Sequence, residues 1–270
     1  MSKKSKAPGK CVFCGKTGVT KQHMWPDWIK NVHPRTDKEH TQQITHLDSS
    51  SPLVTTIKPF MGYKRGPLGA YKLRIVCAAC NNGWMSQLEQ KSQPILTNLI
   101  LNQSSRINSD TQQILAAWVS LMAMVAEYTD VPNMAIPPEH RNHLRQNGYP
   151  PEGWKIWLGN NVAPDWSLSY HHIGLASHPA KSPEKSFECN TQFSTIGIGA
   201  VIFYVASTVL HSSVLKISDE FEKNMVQIWP TNLENVQFPI SPPMDSAKIE
   251  RLALPAWIFS RMPRTSTTSN

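Results

Sequence analysis

The sequence predicts an α+β protein in two parts: a small stapled N-terminal module, joined through a helical connector to a β-rich C-terminal domain. Three observations predict it. Two C-x-x-C pairs, Cys11/Cys14 and Cys77/Cys80, supply four soft thiolates, the donor number of a tetrahedral structural zinc. A capped apolar helix signal runs from Ser109 to Val125, and beyond Gly148 short runs rich in aromatic and β-branched residues alternate with Pro, Asn and Gly. The division that follows is a basic arm over 1–10, a zinc module over 11–105, a helical connector over 106–147 and a C-terminal domain over 148–270.

Composition bounds the rest. The chain has 270 residues, 40% hydrophobic and 17% charged, which excludes a disordered or collagen-like protein. Its first ten residues are basic but carry no apolar run, so no secretory signal is expected. The longest apolar stretch, 196–210, is interrupted by Gly197, Gly199, Ser207 and Thr208 and falls short of a membrane span. The expectation is a soluble, cytoplasmic protein with no membrane partner, where a reducing milieu favours zinc over two disulfides or a redox pair.

Charge is unevenly spread. Residues 1–75 hold 14 Lys and Arg against four Asp and Glu, a net of +10, whereas the whole chain is +8. The basic excess therefore belongs to the zinc region, which suits a polyanion partner bound there.

In chain order, Lys3 to Lys10 reads as a basic arm, either a solvated tail or a phosphate contact. Phe13-Cys14-Gly15-Lys16-Thr17-Gly18 reads as a zinc-knuckle turn. Lys21-Gln22-His23 reads as a strand, and Trp25, Trp28 and Ile29 as a short apolar helix after Pro26. Residues 31–56 are polar and read as a long excursion. Val54 to Ile57 turns strand-like. From Tyr71 to Val76, Tyr71, Leu73 and Ile75 alternate with Lys72 and Arg74, the period of a strand with one buried and one basic face. Lys21, Lys58, Lys64, Arg65, Lys72 and Arg74 are the candidate phosphate contacts; an ordinary solvated edge is the alternative.

A C-x-x-C pair, a strand histidine followed by a proline, and a C-x-x-C-N opening a helix together resemble the HNH (ββα-metal) endonucleases, in the zinc-stapled branch that includes recombination endonuclease VII. The likeness covers roughly residues 11–90. It implies a ββα-metal fold and hydrolysis of DNA phosphodiester bonds to a 5′-phosphate and a 3′-hydroxyl. It also implies His23 as the general base for water, and Mg²⁺ or another divalent ion on the scissile phosphate. Carried over position by position, Asn81 becomes the helix ligand of that ion and Gln22 the strand ligand. The family places Asp or Glu where Gln22 stands, because a hard cation prefers charged oxygen. Three outcomes stay open: a weaker or softer metal site, a substitute ligand such as Asp27, His33, Asp37 or His40, or a catalytically inactive zinc module that binds nucleic acid or a protein partner without cutting.

Asn81 to Gln93 is a predicted helix with Trp84 and Leu88 inward, and Glu89 reads as a solvated helix residue. Pro94 fits the first turn of a second helix capped by Ser92. Ser109-Asp110-Thr111-Gln112 matches a capping box, with Ile114, Trp118, Leu121, Met122 and Val125 on the apolar face. Glu139 to Gln146 is a short helix. Strands are predicted over 154–158, 166–175, 192–210 and 225–229. Adjacent His171 and His172 would point to opposite faces of a strand and make a poor chelate. Cys189, the odd cysteine, reads as incidental. Substrate selection, homo-oligomerisation and sensing of a protein partner remain the roles open to the C-terminal domain.

Overall fold

The computed structural model describes residues 9–34, 44–46, 58–60, 72–131, 134–175, 189–209, 215 and 217–253. Most of the basic arm, Val54 to Ile57, Asp37, His40, Lys64 and Arg65 lie outside the described residues, and Lys58 is placed by its backbone alone.

The first described segment is a tight knuckle. Gly15 sits at φ 72°, where a side chain would be strained. That turn lets the Gly15 N–H reach the Cys11 carbonyl at 2.8 Å and the Cys11 N–H reach Lys16 at 2.7 Å. Strand β1 (Val19–His23) follows, then a single turn α1 (Ile29–Val32), a short hairpin of β2 (Ile44–His46) and β3 (Lys58–Phe60), and β4 (Lys72–Cys77). β1 and β4 pair antiparallel, with Val19 opposite Cys77 and His23 opposite Lys72. A bulge between Thr20 and Lys21 shifts the register, so Thr20 faces Val76 while Lys21 faces Arg74. The residue left over in β4 is Ile75, and its carbonyl accepts the Val12 N–H at 2.9 Å. The bulge thus ties the first cysteine pair to the strand that carries the second. It also explains why Ile75 and Val76 are both buried, where strict alternation predicts only one.

β4 runs without a loop into a helical stretch: α2 (Ala78–Cys80), a wide turn over Asn81–Met85 kinked at Gly83 (ψ −113°), and α3 (Ser86–Ile100). Pro94 lies inside α3 and does not begin a new helix, contrary to the sequence reading. Loss of one backbone hydrogen bond is outweighed by burial of Leu96, Leu99 and Ile100 just beyond it. Ser92 is fully buried and spends its hydroxyl on the Glu89 carbonyl at 3.0 Å.

After β5 (Ser105–Asn108) comes α4 (Ser109–Ala126). Its cap is Asn108, whose side chain accepts the Thr111 N–H at 2.9 Å, one residue earlier than the capping-box reading. From Leu115 to Ala126 every residue is buried, the mark of a central helix covered on all sides. Then follow α5 (Pro138–Asn147), β6 (Trp154–Asn160), β7 (Leu168–Leu175), β8 (Thr191–Ile198), β9 (Val201–Thr208), β10 (Met225–Trp229), β11 (Asn235–Phe238) and α6 (Ser246–Ala253). The run over 192–210, read as one strand, is a hairpin. Gly199 turns it at φ 53°, and a Cβ there would stand 2.5 Å from the Ile100 carbonyl. Ala200 donates to that same carbonyl at 3.0 Å, which docks the end of α3 against the β8–β9 turn.

The fold is therefore mixed helix and sheet. An antiparallel five-stranded sheet in the order β10-β6-β9-β8-β7 forms its centre, and β11 pairs with β5 beside it. One face of the sheet packs on α4, with Trp118 against Phe203. The other packs on α6 and Phe221. The first apolar cluster is continuous from Phe13, Trp25 and Ile29, through α3 and α4, to Ile156 and Val205.

Candidate functional site

Four sulfurs converge where the knuckle meets the end of β4. The Sγ atoms of Cys11, Cys14, Cys77 and Cys80 all lie within 4.8 Å of one another, and those of Cys14 and Cys77 are 3.5 Å apart. A tetrahedron with Zn–S bonds of about 2.3 Å puts its sulfurs about 3.8 Å apart, so the donor set fits an ion of that size and softness. Burial works to raise the Cys11 thiol, but backbone N–H groups of Cys77, Phe13 and Cys14 outweigh it and bring it down to about 7. Burial drives Cys80 far above its ordinary value. Thiols crowded in this way need a cation to ionise together. Phe13 packs edge-on against Trp84, ring centroids 5.2 Å apart, beside this cluster.

The β1–β4 hairpin extends away from the cysteines. Cross-strand partners share a face, so Lys21 with Arg74 and His23 with Lys72 lie on one side. Lys21, Lys72 and Arg74 are exposed. Gln22, opposite Leu73, takes the other, half-buried side. At the end of β1 the chain turns through Met24 and Pro26, and Asp27 comes back to His23, Oδ1 to Nδ1 at 3.7 Å. Lys30 holds the same oxygen at 3.4 Å. Asp27, one of the substitute ligands considered, stands beside His23; His33 is half-buried at the end of α1.

Gln22, His23 and Glu89 line a narrow cleft of about 20 Å³ between the end of β1, α3 and α4, walled by Met24, Pro26 and Met85 and by apolar side chains of α4. That space admits about one water. The Gln22 Nε2 donates to the His23 carbonyl at 3.1 Å, which turns its Oε1 to the other side. Asn81 follows Cys80 directly, at the cysteine end of the helical stretch, and is not among the residues lining the cleft. Glu89 departs from the sequence reading: it is half-buried. Burial pushes its carboxyl above the ordinary value, the charge of Asp27 adds to that, and Trp28 works against it. A usable signal was present, since Met85 and Glu89 are four apart and share a helix face.

A second polar cluster lies deep between the sheet and the helices. The Glu127 carboxylate pairs with Arg141, accepts the backbone N–H groups of Ala135 and Ile136, and stands 3.9 Å from His172 Nε2. Arg141 also donates to the Ile136 carbonyl. His172 Nδ1 meets the Ser194 hydroxyl at 3.0 Å, and Ser194 donates to Gln192 at 2.8 Å. Nothing in the sequence pattern had singled out Glu127 or Arg141.

No protein-family model, curated protein or solved structure matches the chain. Among the described residues the four cysteines are the one convergent group of three or more Cys, His, Asp or Glu side chains, and no described helix is long and apolar enough to cross a membrane.

Proposed function

We propose that the chain is a zinc-stapled, metal-dependent endonuclease of the HNH type, acting on DNA. One observation supports this above the rest. A hairpin closed at one end by four cysteines carries His23 at the other, runs directly into a helix, and shows a single-signed row of Lys21, Arg74 and Lys72 beside that histidine. A duplex backbone laid along this row would be held by its phosphates, with His23 next to the scissile one.

In this reading the four thiolates hold zinc and only fix the hairpin. His23, whose Nδ1 lies 3.7 Å from Asp27 Oδ1, takes a proton from the attacking water at its Nε2. Lys21, Lys72 and Arg74 position phosphates on either side. The divalent ion would stabilise charge on the phosphate and the leaving oxygen, with Gln22 as a ligand beside His23; Asn81, the helix ligand that the resemblance implies, stands at the cysteine end of the hairpin. The second reading, a zinc module that binds nucleic acid without cutting, is favoured by the neutral Gln22 and the narrowness of the cleft. The five-stranded domain would then select the partner.

Incubation with supercoiled plasmid and Mg²⁺, Mn²⁺ or Ni²⁺ separates them. Nicking by the parent that falls by a factor of about 10² or more in His23→Ala fits a lost general base. Salt-sensitive binding without nicking selects the second reading.

A further inference from the structure

We infer that Lys30, borne by α1 and not by the hairpin, is a further phosphate contact at His23, and that the phosphate it takes draws it off Asp27 and leaves that carboxylate to the histidine. The inference rests on the DNA reading above, with or without cutting. Among the described residues before Ala78, Asp27 is the one acid, against seven lysines and arginines. Its Oδ1 stands between two nitrogens, 3.4 Å from Lys30 Nζ and 3.7 Å from His23 Nδ1, so the ammonium already lies in the surroundings of the histidine. The lysine and aspartate side chains are 64% and 60% exposed. An ion pair so wetted holds weakly, whereas a phosphate beside His23 would offer charged oxygens to the same ammonium. The backbone under Lys30 is fixed: Trp25 and Ile29 are buried, Trp28 packs against the same apolar cluster, and the Ile29 and Asn31 N–H groups reach the Pro26 and Trp28 carbonyls at 3.1 and 3.0 Å. Only the side chain has to swing from one oxygen to another. Lys30 thus brings a cation to His23 from a second element, at the end of the row that Lys21, Arg74 and Lys72 form along the hairpin.

The test is binding of a labelled DNA duplex to the full, zinc-loaded chain, followed by fluorescence anisotropy over a series of salt concentrations without added Mg²⁺. Zinc content and melting temperature serve as fold controls. Lys30→Gln weakens binding and lowers the slope of log affinity against log salt by about one, while Lys30→Arg keeps the slope. Lys248→Gln, at the matching exposed pair with Asp245 on the far face of the sheet, leaves binding unchanged. Asp27→Asn tightens binding by about two- to fivefold more where residue 30 is Lys than where it is Gln, the coupling of a weak exposed pair that the phosphate must displace. A gain of the same size in both backgrounds overturns the exchange at Asp27. A slope unmoved by Lys30→Gln, in a parent that binds duplex, overturns the contact and leaves the DNA reading standing; a parent with no salt-dependent duplex binding removes that reading and the contact with it.

Discussion

Two histidines in this molecule each stand near a carboxylate and an amide, and their surroundings could hardly differ more. His172 is sealed between sheet and helices, and the Glu127 it faces is already held by Arg141 and two backbone amides. His23 is a quarter exposed at the end of a hairpin, with the neutral Gln22 beside it, a half-buried carboxylate across a water-sized gap, and lysines and an arginine on its own face. Satisfied polar groups in a dry interior hold a structure together. In the proposed reading, the groups around His23, next to solvent and to charge of one sign, are placed to receive a phosphate. Residue type alone does not separate the two cases; burial and the surrounding charge do.

The largest test of that contrast is metal removal. Apparent binding energies of structural zinc, about 10–16 kcal/mol, match or exceed the whole stability of a typical domain, about 5–15 kcal/mol. Chelation or Cys80→Ser should therefore abolish the β1–β4 pairing, read as lost amide protection at Thr20 and Val76 in hydrogen exchange. If the amides of β8 and β9 lose protection to the same degree, the two regions form one cooperative unit, as the continuous apolar cluster would then explain.

Next in size is the buried pair. Arg141→Met removes the counter-charge that offsets burial of the Glu127 carboxyl, for a loss of about 3–5 kcal/mol in urea unfolding, with zinc content unchanged. Adding Glu127→Gln should recover part of it, because an unmatched buried charge is the larger penalty. A loss under about 1 kcal/mol in the single variant would show that the second cluster is not the structural fastening its geometry suggests.

These two regions were unequally legible in the sequence. The cysteine pairs were readable because each ligand pair is local and only their meeting is long-range. The helices at 109–126 and 138–147 and the strands at 154–160 and 225–229 followed from periodicity and punctuation. The Glu127–Arg141 pair was not readable, since its partners come together only after α5 folds back over α4. Pro94 misled because a local rule yielded to burial of three side chains beyond it, and Glu89 because its solvent is displaced by α4, some thirty residues downstream. The hairpin at Gly199 was hidden by apolar residues running through the turn on both sides.

A smaller effect concerns His140, which accepts the Trp154 indole N–H at 3.0 Å through Nδ1 and is held down at about 4, chiefly by burial. Unfolded, the same imidazole takes up its proton near 6.5. Between those values the unfolded chain binds more protons than the folded one, so stability falls as pH is lowered through that window. The ring is partly exposed, which keeps the effect to about 1–2 kcal/mol. His140→Gln, which keeps an acceptor for Trp154, should flatten the slope of urea-derived stability against pH between 6.5 and 4; an unchanged slope would place the proton uptake elsewhere.

The smallest expected energy sharpens the contrast most, because one substitution should move stability and binding in opposite directions. Lys21 and Arg74 face each other directly across β1 and β4, both exposed, and like charges so placed oppose the pairing. Arg74→Glu turns that repulsion into an attraction, for a gain of about 0.2–1 kcal/mol. The same change takes one cation from the row beside His23, so binding to duplex DNA should weaken and the slope of log affinity against log salt should fall by about one. A pair that served only folding would improve on both measures or on neither. If stability rises while polyanion affinity falls, the repulsion across this hairpin has its reason outside the chain, as the proposed phosphate contact requires.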